Sequence, residues 1–274
     1  VRSSAASDVY KRQADGYARA SGKTGVCIVT SGPGTTNLVT GIATAHIDSV
    51  PLVCFTGQVS SGLIGRESFQ EVNTIKIMKS ICKYVVTVRD RSELGKAIRS
   101  AFQAARSGRP GAAVVDLPKD IQQEMGSDFY PLCTDDKPEV PVPQEVIDRC
   151  LEALRAARKP LFLLGGGVHI AGAEKEMASL AEKTGIPVVT TIMGKGVLPS
   201  DHPLYMGNLG IHGSFAANMA TSECDVLFAI GTRFNDRITG KTDSFADKAV
   251  IIHADIEPDV ISRNVPADIS VAAD

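Results

Sequence analysis

The sequence predicts an α/β protein built from two three-layer α/β/α units with mostly parallel sheets, the second of them Rossmann-like. Short β-branched runs alternate with helical patterns from residue 14 onward. Several of these runs are apolar throughout, as strands buried on both faces require. One proline-rich stretch near the middle carries neither period, and 274 residues suffice for two domains of roughly 100 to 200 residues each.

The opening stretch, VRSSAASDVYKRQ, has no apolar period and contrasts with the helical pattern that starts at Ala14, so 1–13 is expected to be a non-native leader. Residues 14–124 form the first expected domain, with strands at 26–30, 52–56, 84–88 and 112–117 and helices at 36–46 and 92–106. The second helix places Leu94, Ile98, Phe102 and Ala105 on one face with Ser92 as its N-cap, and Gly108, Pro110 and Gly111 end it. Residues 125–143 are the expected linker, because Pro131, Pro138, Pro141 and Pro143 interrupt any helix or central strand. The second domain, 144–274, begins with a helix at 144–158 and carries strands at 160–164, 187–191, 225–230 and 249–254.

Composition narrows the function classes. Lys and Arg total 29 against 31 Asp and Glu, a net charge of −2, so no basic field is present for nucleic acid or a membrane surface. The longest apolar runs, 161–164 and 226–230, are far below the ~20 residues of a membrane span. Cys27, Cys54, Cys82, Cys133, Cys150 and Cys224 form no CxxC pair, which implies neither disulfides nor zinc and a reducing, cytoplasmic setting; no metal site is expected within the chain.

Three glycine-centred segments stand at expected strand ends, where open parallel sheets bind ligands. In Thr30-Ser31-Gly32-Pro33-Gly34-Thr35-Thr36-Asn37, hydroxyls and backbone N–H groups gather at a helix start and suit a polar or anionic ligand, or form a plain capped turn. Leu164-Gly165-Gly166-Gly167-Val168 approaches a nucleotide loop without the full GxGxxG spacing. Gly231-Thr232-Arg233-Phe234-Asn235-Asp236-Arg237 puts two guanidinium groups at the ligand edge, for phosphate or carboxylate, with an exposed salt bridge to Asp236 as the alternative.

Together the segments are far more specific. ADGYARASGKTGVCIVTSGPGTTNLVTGIATAHIDSVPLVCFTGQV, then ESFQEV and SGRPGAAVVDLPKDI, closely resembles the pyrimidine-binding domain of thiamine-diphosphate enzymes, and specifically of acetolactate (acetohydroxyacid) synthase catalytic subunits. GGGV, TTIMGKG, LGIHG, GTRFNDRITGK and HADIEPDVI resemble the central domain of the same family, over about residues 14–274. The resemblance implies that the cofactor's aminopyrimidine lies against Gly32, Pro33 and Asn37, that Gln70 contacts the reaction region, and that Phe69 packs beside it. It implies catalytic or substrate roles for Gln70, Lys119 and His212, and for Arg237 as holder of the second keto acid's carboxylate. It further implies FAD in a non-redox role, lined by Gly165, Gly166, Gly167, Thr191, Ile192, Ile211, His212, Gly231, Arg233, Asn235, Arg237, Asp255 and Ile256. Glycines would permit close approach to the diphosphate, Arg233 would supply charge-assisted bonds, and Asp255 would accept from ribose hydroxyls. Ile211 stands where relatives usually have Met, and Asn235 where many have Asp.

The implied reaction decarboxylates pyruvate on thiamine diphosphate and joins the product to pyruvate or 2-ketobutyrate, a step toward valine, leucine and isoleucine. The implied partners are these 2-keto acids, a second copy in a homodimer or tetramer, and a regulatory small subunit. One departure bears on activity. The glutamate that activates the pyrimidine is expected eight residues before Asp15, where Ser7 stands beside the shorter Asp8. The GDG motif of the diphosphate domain, which would hold Mg, does not occur, so the chain is expected to be an inactive fragment of a synthase. The alternatives are a thiamine-diphosphate carboligase or decarboxylase without FAD, and a non-catalytic nucleotide-binding module. The FQE and LPKD segments weigh against the module, which has no use for a keto-acid pocket.

Overall fold

A computed structural model describes residues 2–126 and 141–274, except for the side chains of residues 2–8 and 10. The chain divides into two compact units, Val1–Lys137 and Pro138–Asp274. Most of the expected linker, with Cys133, Pro131 and Pro138, lies outside the described residues.

In the first unit, α1 (Arg2–Ser21) is followed by β1 (Gly25–Val29), α2 (Pro33–Asn37), α3 (Val39–Ile47) and β2 (Leu52–Gln58). Then come α4 (Thr74–Met78), β3 (Tyr84–Thr87), α5 (Leu94–Arg106), β4 (Ala112–Pro118) and α6 (Lys119–Gln123). The four strands form a parallel sheet in the order β1-β2-β4-β3. Alternate strand residues supply two cores. Cys27, Leu52, Cys54, Ala112 and Val114 pack against Ala14, Ala18, Leu38, Ile42 and Ala45 of the helices on one face. Val53, Ala113 and Val115 pack against Ala97, Ala101 and Ala105 of α5 on the other.

Four expectations need correction here. Helix α1 runs back to Arg2, so the expected helix start at Ala14 falls inside it; Lys11 is buried and donates Nζ to the Asn37 carbonyl at 2.6 Å. The expected helix 36–46 starts earlier and is divided at Leu38, because Pro33 occupies the first helical turn of α2, where its fixed φ favours initiation. Ser92 does not cap α5. It lies in a preceding turn where its N–H and hydroxyl both donate to Asp90 Oδ1, at 2.8 and 2.7 Å; the inner face of α5 keeps Leu94, Phe102 and Ala105 but has Ala97 and Ala101 in place of Ile98. Within the three-layer plan the helix cover differs along the sheet: α5 packs on β2, β4 and β3 and leaves Ile28 of β1 71% exposed.

The second unit contains α7 (Gln144–Ala156), β5 (Pro160–Leu164), α8 (Gly166–Ala171), α9 (Glu174–Thr184), β6 (Val188–Thr190) and β7 (Tyr205–Asn208). It continues through α10 (Phe215–Glu223), β8 (Val226–Ile230), α11 (Asp236–Thr239), β9 (Val250–Asp255) and β10 (Ile269–Ala272). The parallel sheet has the order β10-β9-β8-β5-β6-β7. Numbered from β5, this is the doubly wound order 3-2-1-4-5-6, whose direction of winding reverses between β5 and β8. Leu161 and Leu163 face one core while Phe162 and Leu164 face the other, the period of two that makes 160–164 apolar throughout. Strands β7 and β10 were not expected from the sequence. Both are edge strands of four residues, and β7 contains Gly207 and Asn208, which are poor strand formers.

Candidate active site

Each glycine-centred segment lies at the carboxyl end of a strand, after β1, β5 and β8. In the first unit the chain leaves β1 through Thr30 and Ser31 and turns at Gly32, where φ is +61°. A Cβ on Gly32 would lie 2.8 Å from the Gln70 carbonyl oxygen and 2.9 Å from Gln70 Cβ. Gln70 itself has φ +62°. Two segments far apart in sequence therefore meet backbone to backbone, and only a residue without a side chain fits the first of them. Beside them opens a cleft of about 280 Å³, lined among others by Thr30, Ser31, Gly57, Gln58 and Lys119.

Two hydroxyls of the turn are used internally, as the plain-turn alternative has it: Thr35 Oγ1 donates to the Thr30 carbonyl and Thr36 Oγ1 to that of Pro33, each at 3.4 Å. Pro33 is exposed, and the Asn37 carbonyl serves Lys11. Phe69 is 89% exposed, presenting a full aromatic face beside Gln70. Lys119 is exposed at the start of α6, at the mouth of the cleft.

The sequence reading missed the carboxylates that hold this edge. Glu71 accepts from the backbone N–H groups of Gly65 and Ser68, and these bonds hold its carboxyl below the usual range. Asp120 accepts from the N–H and hydroxyl of Ser61, at 3.0 and 3.2 Å, and the Ser61 N–H leads in lowering it. Asp116, 1% exposed near the end of β4, accepts from Thr56 (2.7 Å), Thr74 (3.0 Å), Thr87 (3.0 Å) and Gln58 (3.2 Å). Desolvation raises the Asp116 carboxyl above its ordinary value, and the four hydrogen bonds oppose that rise. The sequence signal was a lone acid in AAVVDLP, an otherwise apolar central strand.

In the second unit the crevice at the reversal point is built from backbone. Gly165 N–H donates to the Ile230 carbonyl (2.8 Å) and Gly167 N–H to that of Gly231 (3.0 Å). A Cβ on Gly167 would lie 2.5 Å from Gly231 Cα, and one on Gly165 would strike the Gly231 carbonyl. The close approach these glycines make is thus to the β8 loop, and two of their N–H groups are already engaged. Thr191 is buried and caps the next turn, its Oγ1 accepting from Gly194 N–H at 3.1 Å, which leaves Ile192 71% exposed on the rim. Gly166 lies over Met193, whose Cβ would be 3.0 Å from a Cβ added there.

The loop after β7 joins the same edge. Ile211 N–H donates to the Arg237 carbonyl at 3.0 Å and Gly210 packs on the Arg237 backbone, so exposed His212 and exposed Arg237 are neighbours in the fold. Arg237 Nε lies 3.8 Å from Asp236 Oδ2 with both side chains mostly in solvent, a pairing of little energetic weight. Asn235 begins α11 without a side-chain cap bond. Arg233 is half-buried, and its carbonyl accepts from Asn264 Nδ2 at 2.9 Å. Asp255 accepts from Glu257 N–H at 2.9 Å, a local turn at the end of β9 that includes Ile256.

Beneath this loop His253 is fully buried. Its Nε2 faces the Thr232 carbonyl at 2.8 Å, and since a carbonyl only accepts, Nε2 carries the proton. Desolvation lowers the His253 imidazole below its ordinary value, keeping it neutral, and its ring packs edge-on to Phe234 at 4.8 Å.

A doubly wound sheet with a glycine crevice, joined in sequence to a second parallel unit with a cradle at its own carboxyl edge, is the plan of a multidomain cofactor enzyme. The family model "Thiamine pyrophosphate enzyme, N-terminal TPP binding domain" matches residues 12–78, and "Thiamine pyrophosphate enzyme, central domain" matches 147–274. The chain belongs to the thiamine pyrophosphate enzyme family.

Its relatives include the "Probable acetolactate synthase large subunit" of Methanocaldococcus jannaschii, 48% identical over 95% of the chain and 45% of that protein. The "Acetolactate synthase isozyme 2 large subunit" of Escherichia coli K12 is 44% identical over 94% of the chain and 47% of its own length. "Acetolactate synthase 1, chloroplastic" of Zea mays is 44% identical over 95% and 41%. The chain thus spans about half the length of the curated relatives it matches. No helix among the described residues is long and apolar enough to cross a membrane.

Proposed function

We propose that this chain supplies the pyrimidine-binding and FAD-associated domains, 14–124 and 144–274, of an acetolactate synthase that condenses two 2-keto acids on thiamine diphosphate. The observation that carries this reading is the meeting of Gln70 with Gly32 at the end of β1, beside an open cleft, in a unit whose sequence matches a thiamine pyrophosphate binding domain.

The residues present suit the cofactor's ring: beside the close backbone contact of Gly32 with Gln70, the cleft carries polar groups at Thr30 and Ser31. When bound, thiamine diphosphate supplies the electron sink for decarboxylation of a 2-keto acid. Gln70 and the exposed Phe69 beside it stand at the Gly32 contact, where they would line the reaction region. The Lys119 ammonium at the cleft mouth attracts the keto acid's carboxylate. Ser7 and Asp8, where an activating carboxylate was sought, lie on α1 with their side chains outside the described residues.

In the second unit the crevice at the reversal point is the proposed seat for the adenosine and diphosphate of FAD, with the N–H groups of Gly165 and Gly167 already bonded to the β8 loop. Gly231 turns with φ +61° at the reversal point, and Arg233 stands on the same loop to meet phosphate oxygens. Arg237 and His212 offer exposed polar groups for a keto-acid carboxylate. Magnesium would be bound with the cofactor's diphosphate, and no residue of this chain is proposed to hold it. The relatives' designation as large subunits supports a regulatory small subunit as partner, within a homodimer or tetramer.

The test is turnover of pyruvate by the full-length protein supplied with thiamine diphosphate, magnesium and FAD. Acetolactate formation with bound flavin is expected. Acetaldehyde release without flavin would instead identify a decarboxylase, and no turnover from the folded, cofactor-replete protein would identify a non-catalytic module.

A further inference from the structure

We propose that Asp116 is the positioning residue of the Gln70 segment: one buried carboxylate fixes both ends of the chain between Gln58 and Thr74 and thereby holds Gln70 against Gly32. The carboxylate has about four acceptor positions, and four side-chain donors from β2, β3 and α4 fill them. They fall into two kinds. Thr56 and Thr87 are register partners of Asp116 in the neighbouring strands, so their bonds run sideways across the sheet.

Gln58 and Thr74 lead elsewhere. Gln58 Nε2 donates to Asp116 Oδ2 and also, at 2.9 Å, to the Val72 carbonyl, while Oε1 accepts from Val59 N–H at 2.9 Å. Every polar atom of this amide is thus engaged, which fixes where the segment leaves β2 and ties its far end to the same carboxylate. Thr74 Oγ1 reaches Asp116 Oδ1, and its N–H donates to the Val72 carbonyl at 3.0 Å. Between the two anchors Glu71 gathers Gly65 and Ser68, and its own N–H donates to the Ser68 carbonyl at 2.9 Å. Gln70 is therefore carried on a loop whose closure is set by a residue that never touches it.

A purely structural role, stitching β2, β4 and β3, would act through Thr56 and Thr87 alone. Amide hydrogen exchange on the chain distinguishes the two roles by comparing Thr74→Val with Thr87→Val, each removing one hydroxyl from the same carboxylate. The proposal expects Thr74→Val to speed exchange at Gly65, Ser68 and Glu71 about tenfold, with strand amides at Cys54 and Val114 within about twofold. Thr87→Val should leave the loop amides at the wild-type rate relative to the sheet. Asp116→Asn, whose amide NH₂ cannot accept, should reproduce the loop effect more strongly. Equal loop effects from the two threonine variants, or a uniform rise in both, would overturn the proposal. If Asp116→Asn does not fold, the threonine pair decides alone. The consequence for catalysis rests on the proposed function, but the exchange readout does not: an inactive full-length protein would sink that function and leave the positioning role to stand or fall on its own.

Discussion

The two units share the parallel α/β plan but fix their ligand edges by different means. In the first, Gly32 also packs on backbone, but its partner Gln70 rides a loop held by carboxylates, with Asp116, Glu71 and Asp120 collecting hydroxyl and N–H donors. In the second, the Gly165–Gly167 and Gly231 turns are held by backbone pressed on backbone, with space that excludes any Cβ. A carboxylate-held loop can give way one bond at a time, whereas a glycine-packed crevice tolerates no added atom at all. The first edge suits a segment that must adjust around a reacting group, the second a rigid seat for a bound dinucleotide.

Mutations break that contrast in graded fashion. The largest effect is expected of Gly231→Ala, where positive φ and a Cβ 2.6 Å from Gly167 Cα combine. Neither backbone can retreat, so a loss above about 3 kcal/mol is expected in chemical denaturation. Gly32→Ala meets Gln70, which stands on a loop, so the loop moves aside. A smaller loss of about 1–2 kcal/mol is expected, accompanied by a steep fall in turnover of the full-length protein. Thr56→Val removes one buried donor from Asp116 and should cost about 1–2 kcal/mol by the same measurement.

A pH series sharpens the contrast from the other side. Folded His253 stays neutral below the ordinary imidazole value of 6.5, while unfolded His253 takes up a proton there. The unfolded state then binds more protons, so this residue's contribution to stability is present above pH 6.5 and is lost as pH falls toward the depressed folded value. Urea unfolding between pH 7.5 and 5.5 should show a shallower pH slope in His253→Phe, even though that variant starts less stable for want of the bond to Thr232. The smallest effect belongs to Asp236→Ala. Its ion pair with Arg237 is largely solvated, and stability should shift by less than about 0.5 kcal/mol.

The strand ends and their glycines were legible because an apolar run followed by a glycine turn is a local pattern, and a local pattern survives in one dimension. Gly32, Gly165 and Gly231 all stand where the sequence put them. The partners that make these glycines obligatory were not legible. Gly167 meets Gly231, and Asp116 gathers residues 56, 58, 74 and 87, contacts that only the parallel crossovers create. The sequence left the hydroxyls of Thr35 and Thr36 open between a ligand and a plain turn, and the turn prevails because backbone carbonyls close by accept them first. The Ser92 cap failed because Asp90 two residues earlier accepts both the Ser92 N–H and its hydroxyl, which draws the serine into a turn ahead of the helix.

The central claim is that the two edges serve two different groups, thiamine diphosphate at Gln70 and FAD at Arg233. Bound flavin per chain and acetolactate formation, measured together in Gln70→Ala and Arg233→Ala forms of the full-length protein, test it most directly. The account predicts that Gln70→Ala lowers acetolactate formation and keeps the wild-type flavin content, while Arg233→Ala releases flavin. Loss of flavin from Gln70→Ala, or full retention of flavin by Arg233→Ala, would contradict it.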